Sequence, residues 1–243
     1  MKLTLITVSY NSESTIRDTL ESVRSQIYKP DEYIIIDGNS QDTTLEICDE
    51  YRDIITHVVS ENDNGIYDAM NKGIKLSSGD IIGLLNSDDT YLDEYVLHRV
   101  VTSFERGNNI FCGGVNYVRH DYSIVRSWFL KDKVKEIAKG WHPPHPGFFV
   151  SKTLYQNCGL FRLEYPIAAD FDLMVRMLRS PNADIEVYRY PIVNMKLGGE
   201  SNSSLKNILQ GNREIRNSLK SQGLKVTYWY TIKRLLSKIL QYV

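Results

Sequence analysis

The residues of this chain best placed to do chemistry are acids that follow short aliphatic runs. In Asn86-Ser87-Asp88-Asp89 the carboxylates emerge together after the apolar run 81–85. One or two acids so placed can hold Mn2+ or Mg2+ against phosphate oxygens, the charge that a diphosphate leaving group requires. The same residues also suit an Asx turn in which Asp89 or Thr90 caps a following helix, and the segment alone does not choose. Asp37 ends a second run, 33–37, ahead of Gly38-Asn39-Ser40-Gln41-Asp42-Thr43-Thr44. There it could point into a crevice and accept a donor from a base or ribose, or simply terminate its strand, with Ser40 or Asp42 as a cap.

Ala168-Ala169-Asp170-Phe171-Asp172 sets two acids two apart at a predicted helix start, where they face different directions. One can act as a base while the other caps, or both can merely favour the helix dipole. Residues 61–73 form a polar loop running into a helix that Asn64 would cap. Asp68 and Lys72 make an ordinary i,i+4 pair there, and Asp63 and Lys72 are carried forward as ligands of hydroxyls or phosphate. His142 and His145 flank two prolines at a spacing unlike a helical metal pair, so they are expected to shape a pocket or to hydrogen-bond an acceptor sugar. Gly198-Gly199 offers backbone amides to oxygens but equally marks a turn.

The elements that must carry these residues alternate. Apolar runs at 3–8, 33–37, 55–59, 81–85 and 110–118 are separated by helical patterns ending near 26 and 51 and spanning 66–76 and 93–104. Short continuous aliphatic runs imply strands covered by helices on both faces. In such sheets ligands bind beyond the carboxyl ends of the strands, and the clusters at Ser9-Tyr10-Asn11, Asp37 and Asn86-Ser87-Asp88 all fall there. After Tyr117 the grammar changes to aromatic strand-like pieces and a helix near 170–178, expected to bind the second substrate. From Lys206 the pattern turns helical, with Gly211 and Gly223 as expected interruptions.

Bulk properties bound the partners. The 243 residues, 42% hydrophobic, suffice for one full core. Lys and Arg number 29 against 30 acids, so no global field selects nucleic acid. Cys48, Cys112 and Cys158 are odd in number and widely spaced, which argues against a disulfide framework or a zinc site. The N-terminal apolar run is too short for a signal peptide or a span, and a cytoplasmic location is expected.

Taken in order, the motifs Thr7-Val8-Ser9-Tyr10-Asn11, Ile36-Asp37-Gly38-Asn39-Ser40, Asp63-Asn64-Gly65-Ile66-Tyr67-Asp68-Ala69-Met70-Asn71-Lys72-Gly73, Leu85-Asn86-Ser87-Asp88-Asp89 and Ala169-Asp170-Phe171-Asp172-Leu173 resemble the family-two inverting glycosyltransferases of GT-A fold. The resemblance covers roughly residues 3–201 and is nearest to bacterial enzymes that build capsule, O-antigen or colanic-acid-like polysaccharide. It implies an α/β, Rossmann-like, mixed and mainly parallel sheet flanked by helices. The implied donor is a nucleotide-diphosphate sugar, UDP-linked, and the implied acceptor a glycan or lipid-linked glycan. It further implies that Thr7, Ser9, Tyr10, Asn11, Asp37, Asp63, Lys72, Asn86, Ser87 and Asp88 bind the donor. Asp88, with Asp89 as a second candidate, would ligate Mn2+ or Mg2+. Asp170 would be the base, and His145 and Asp172 would meet the acceptor. The chain carries Asn86 where the family's metal motif often opens with Asp, and Ala169-Asp170 where its base motif reads Glu-Asp.

The expected organisation is a catalytic domain over 1–205, divided near 117 into a nucleotide-sugar half and an acceptor half (118–205), followed by a helical tail over 206–243. Lys220, Lys225, Lys233, Arg234 and Lys238 share that tail with apolar residues at helical spacing. Two readings stand: association with the inner face of a cytoplasmic membrane, or packing on the catalytic domain or a second copy of the chain. Two other functions compete with sugar transfer: sugar-1-phosphate nucleotidyl transfer, and non-catalytic nucleotide-sugar binding. The first lacks its Gly-rich basic loop after the first strand.

Overall fold

A computed structural model describes residues 1–130, 141–197 and 205–224. Strands β1 (Leu3–Ser9), β2 (Glu32–Asp37), β3 (His57–Ser60) and β4 (Ile81–Leu84) alternate with helices α1 (Ile16–Arg24), α2 (Thr44–Asp49) and α3 (Ile66–Leu76). Every residue of β1, β2 and β4 is buried, as aliphatic runs covered on both faces should be. Side chains alternate across the sheet. Leu3, Leu5, Tyr33 and Ile35 pack with the apolar stripes of α1 and α2, and Ile6, Val8, Ile34 and Ile36 pack under Ala69, Met70 and Ile74 of α3. Full burial of each large apolar side chain contributes roughly 1.5–3 kcal/mol.

The chain continues through β5 (Asp89–Tyr91), α4 (Val96–Glu105), β6 (Ile110–Val118), β7 (Ile124–Trp128), β8 (Phe148–Ser151), α5 (Lys152–Cys158), α6 (Ala169–Leu178), β9 (Ile185–Lys196) and α7 (Leu205–Ser221). One mixed sheet results, ordered β3-β2-β1-β4-β8-β6-β9-β5, with β7 on β6. The parallel pairings join β1 to β2 and β4, β2 to β3, and β6 to β9. Antiparallel pairings come from β5, β7 and β8.

Register places the site. Ser9 pairs with Asp37, and Asp37 with Ser60, so three neighbouring strands end in one polar row. Leu84, the last residue of β4, is level with Ile6, and the chain then runs on past the end of β1.

Several local expectations need correction. The N-cap of α3 is Gly65, at φ +104°, and not Asn64. The Asn64 backbone and side-chain amides instead donate to Asp68 Oδ2, at 3.0 and 3.1 Å. Lys72 pairs with Glu61 at 2.8 Å rather than with Asp68. Asp89 and Thr90 cap no helix, because they begin β5. Helix α7 runs through Gly211 without interruption. A Cβ there would stand 2.9 Å from Ile167 Cγ2, so the missing side chain lets α7 approach the turn before α6. Gly223, at φ +74°, does follow the end of that helix.

Helix α7 buries Ile215 and Leu219 in the core that holds α6. The basic, apolar stretch beyond 224 and the Gly198-Gly199 pair lie outside the described residues. Among the described residues no helix is long and apolar enough to cross a membrane.

Candidate functional site

Asp37 is completely buried at the middle of the polar row. Its Oδ1 accepts from Ser9 Oγ at 3.1 Å and Ser40 Oγ at 2.5 Å, and its Oδ2 from Ser40 N at 2.8 Å and Ser60 Oγ at 2.7 Å. Four donors satisfy a carboxylate with two oxygens. The expectation that Asp37 opens onto a base is therefore corrected: the side chain is spent on tying together β1, β2, β3 and the 38–40 turn. Thr7 is corrected likewise, since it is fully buried with its hydroxyl 3.0 Å from Tyr33 Oη. The surface around this clamp is formed by neighbours. Tyr10 is 64% exposed. Asn11, at φ 46°, holds Gln41 N with its side-chain oxygen at 2.9 Å. Asp63 accepts from Gly65 N at 2.8 Å with Oδ1, while its Oδ2 lies over Gly38. The Lys72 ammonium also donates to Asn62 O at 2.8 Å, so it pins the loop that carries Asp63.

The second cluster leaves β4. Ser87 Oγ lies 2.8 Å from Ser12 Oγ, which sets the turn against the segment after β1. Burial pushes the Asp88 carboxyl above its usual range. Asp89 is completely buried. Its Oδ2 accepts from Asn86 Nδ2 at 3.0 Å, and its Oδ1 has no hydrogen-bond partner. Burial, and then the neighbouring charge of Asp88, raises the Asp89 carboxyl well above the aspartate range. Lys196, only 8% exposed at the end of β9, sits 2.9 Å from Asp18 Oδ2 and within electrostatic reach of both acids. Sequence reading passed over this lysine because nothing local marks it; β5–β9 pairing, with Asp89 opposite Met195, brings it in.

The third group is Asp170, in the first turn of α6. Its Oδ1 accepts from Phe171 N at 2.7 Å and from Tyr67 Oη at 3.1 Å. Its Oδ2 takes no hydrogen bond from the described residues. Tyr67 Oη also lies 3.2 Å from Ile167 O, and its ring stacks on Phe161 at 5.3 Å. His145 meets the same Phe161 edge-on at 5.6 Å. Burial lowers the pKa of this imidazole, with the Asp170 charge opposing. His142 stands edge-on to both Trp128 and Phe171 at 5.3 Å, so both histidines help to wall the region.

Asp172 does not belong to that wall. It is completely buried, accepting from Arg176 Nε at 2.8 Å and Ser218 Oγ at 2.7 Å, with Arg162 3.6 Å away. The expectation that it meets an acceptor is corrected: two residues along a helix turn a side chain far from Asp170, here into the contact with α7. Helix α7 also sends Glu214 to the turn before α6, where Oε2 accepts from Ile167 N and Ala168 N, both at 2.9 Å. Sequence reading missed Tyr67 and Glu214 in these roles. Tyr67 stood inside a recognised motif, but its partner is 103 positions away.

A mixed sheet under two helical layers, with acids beyond the parallel strand ends and a further acid at the start of α6, defines the GT-A class of sugar-transferring enzyme. Residues 4–157 match the family Glycosyl transferase family 2, more than half of the chain, and the chain belongs to that family as a glycosyltransferase. It is 26% identical over 212 residues to a PGL/p-HBAD biosynthesis glycosyltransferase of Mycobacterium bovis, covering 82% of this chain and 78% of the relative. An uncharacterized glycosyltransferase of Mycobacterium tuberculosis is 29% identical over 184 residues, 72% of this chain and 68% of the relative. Among solved structures, residues 1–349 of S. aureus TarS superpose with a TM-score of 0.70 at 20% identity, covering 95% of this chain and 68% of that one. Mannosyl-3-phosphoglycerate synthase from Rubrobacter xylanophilus gives 0.66 at 14% identity, over 94% and 77%. Family membership sets aside both nucleotidyl transfer and a purely binding module.

Proposed function

We propose that the chain transfers one hexosyl or N-acetylhexosaminyl unit from a UDP-linked sugar to an acceptor hydroxyl by a single inverting displacement. One observation carries this reading: Asp170 is partly exposed, with one carboxylate oxygen held by two donors and the other left without a donor from the described residues. That second oxygen removes the acceptor proton as the acceptor oxygen attacks the anomeric carbon; the bond from that carbon to the diphosphate breaks, and the electron pair leaves with the diphosphate. Tyr10, Asn11 and Asp63 border the nucleotide, and Ser9 acts through the Asp37 clamp. A UDP-linked donor also fits TarS, whose structures include complexes with UDP and UDP-GlcNAc.

The end of β4 suits a divalent cation. A buried carboxylate oxygen with no partner beside a second desolvated acid is costly unless a positive charge meets it. Among the described residues no three His, Cys, Asp or Glu gather into a cage, so Asp88, with Asp89 behind it, would hold Mn2+ or Mg2+ jointly with donor phosphates. Such an ion supplies electrostatic relief to the departing diphosphate. Lys196 adds a fixed positive charge beside these acids.

The division near residue 117 fits this reading, with the donor on 1–117 and a glycan or lipid-linked acceptor, as in surface polysaccharide synthesis, on 118–205. A cavity of about 490 Å³ lies next to the Asp170 turn, lined by Tyr165, Lys206, Gln210, Arg213 and Glu214 among others, and offers hydrogen-bonding groups to such an acceptor.

The test is Asp170→Asn, measured by sugar transfer and by calorimetric binding of UDP-sugars with Mn2+ present. We expect turnover to fall roughly 10²–10⁴-fold while donor affinity stays nearly intact. Unchanged turnover would remove Asp170 from the role.

A further inference from the structure

We propose that Tyr67 is the positioning residue of the transfer step: its hydroxyl holds Asp170 Oδ1 and so selects Oδ2 as the atom that takes the acceptor proton. The inference rests on the reading of Asp170 as base and extends it to a residue on another element.

The geometry comes from three elements. Helix α3 delivers Tyr67 from its first turn, where Ile66 opens the helix right after Gly65. The ring is fixed by its stack on Phe161, 5.3 Å between centroids at 24°. Its single hydroxyl hydrogen is shared between Asp170 Oδ1 at 3.1 Å and Ile167 O at 3.2 Å, so one phenol grips the backbone before the base and the base itself. From the far side, Glu214 of α7 holds Ile167 N and Ala168 N. The turn carrying Asp170 is thus gripped by α3 and α7, and the Phe171 amide adds a second donor to Oδ1. An oxygen that already accepts two hydrogen bonds is the poorer proton acceptor, which leaves Oδ2 to react.

Tyr67 is suited to remain a donor. Burial, then the Asp170 charge, pushes its phenol well above the ordinary tyrosine range, so it stays protonated wherever the enzyme works. The other titratable groups facing this corner are His145, from the turn before β8, and Glu214, from α7. Burial disfavours a charge on His145, and Glu214 is bound to backbone amides, so the phenol is the adjustable partner of the base.

The experiment pairs Tyr67→Phe with site-specific 3-fluorotyrosine at position 67. Phenylalanine keeps the ring stack and loses only the hydroxyl. At neutral pH kcat falls roughly 10-fold through loss of orientation, with both KM values nearly unchanged. The fluorinated phenol is the stronger donor, draws charge from the carboxylate and lowers kcat roughly 2–3-fold with both KM values and the melting temperature unchanged; a purely structural role predicts wild-type turnover for that chain. Thermal melts check that both proteins fold, and the fluorinated chain alone decides the matter where Tyr67→Phe does not fold. If Asp170→Asn still turns over, the base assignment fails first. If Asp170→Asn is inactive while neither change at position 67 moves kcat, the base assignment stands and the role of Tyr67 is overturned.

Discussion

Asp37 ends the second strand and Asp89 begins the fifth, far apart in the strand order of the sheet, and both carboxylates are completely buried. Asp37 receives four hydrogen bonds on two oxygens. Asp89 receives one, from Asn86, and keeps a bare oxygen. Burial alone therefore does not make two acids alike; the difference lies in how much of the demand of each the protein meets. An acid with every lone pair engaged stabilises the fold as a charge. An acid left short penalises the fold until a cation or a proton arrives.

The contrast breaks most readily at Asp88, which shares its site with Asp89. Asp88→Ala should lower Mn2+-supported transfer on the order of 10²–10³-fold, read from initial rates across a Mn2+ titration. Equal rates in wild type and variant would mean that the unmet oxygen marks no cation site. Next in size is Asp37→Asn. An amide puts two donors where four donors converge, and we expect a loss of about 2–3 kcal/mol in urea denaturation, with or without Mn2+. A normal midpoint would show that the four bonds contribute little.

The smallest effect sharpens the comparison, because its sign is opposite. Asp89→Asn removes a buried charge whose demand is unmet and should raise the stability of the metal-free protein by about 1 kcal/mol at neutral pH. In the wild type the folded pKa is raised, so the folded state binds more protons than the unfolded one between the unfolded aspartate value near 4 and that raised value. Stability contributed by this group is thus present at the acid side and lost as pH rises through the folded pKa. The variant should lack that slope in melts between pH 4 and 8, and a slope that persists would assign it to another group.

Much of the fold could be read from the sequence because it is local. Runs such as Leu-Thr-Leu-Ile-Thr-Val and Tyr-Ile-Ile-Ile-Asp declare buried strands, and β6 (Ile110–Val118) and α3 (Ile66–Leu76) occupy the spans their patterns predict. The acid clusters are legible for the same reason: Asp37 and Asp88 follow aliphatic strands, and Asp170 opens a helix. What escaped depends on contacts between distant positions. Nothing near Asp172 reveals Ser218, 46 residues on, and nothing near Lys196 reveals Asp18, 178 positions back. Thr7 and Asp37 read as site residues because the strand end was correctly located, but which way each side chain turned depended on Tyr33, Ser40 and Ser60. Gly211 read as a helix breaker because sequence shows its cost and not the close approach to Ile167 that offsets it.

The grip of α7 bears on how such enzymes could be recombined. Glu214 closes the amides ahead of Asp170, and Ser218 and Gln222 meet Asp172 behind it. A chimera joined to a relative's sequence just before this helix would expose two helix-start amides and strand a carboxylate between arginines. Glu214, Ser218 and Gln222 must therefore travel as a set with the segment 162–176, and shuffling that respects this linkage can vary the rest of the chain while keeping Asp170 aligned.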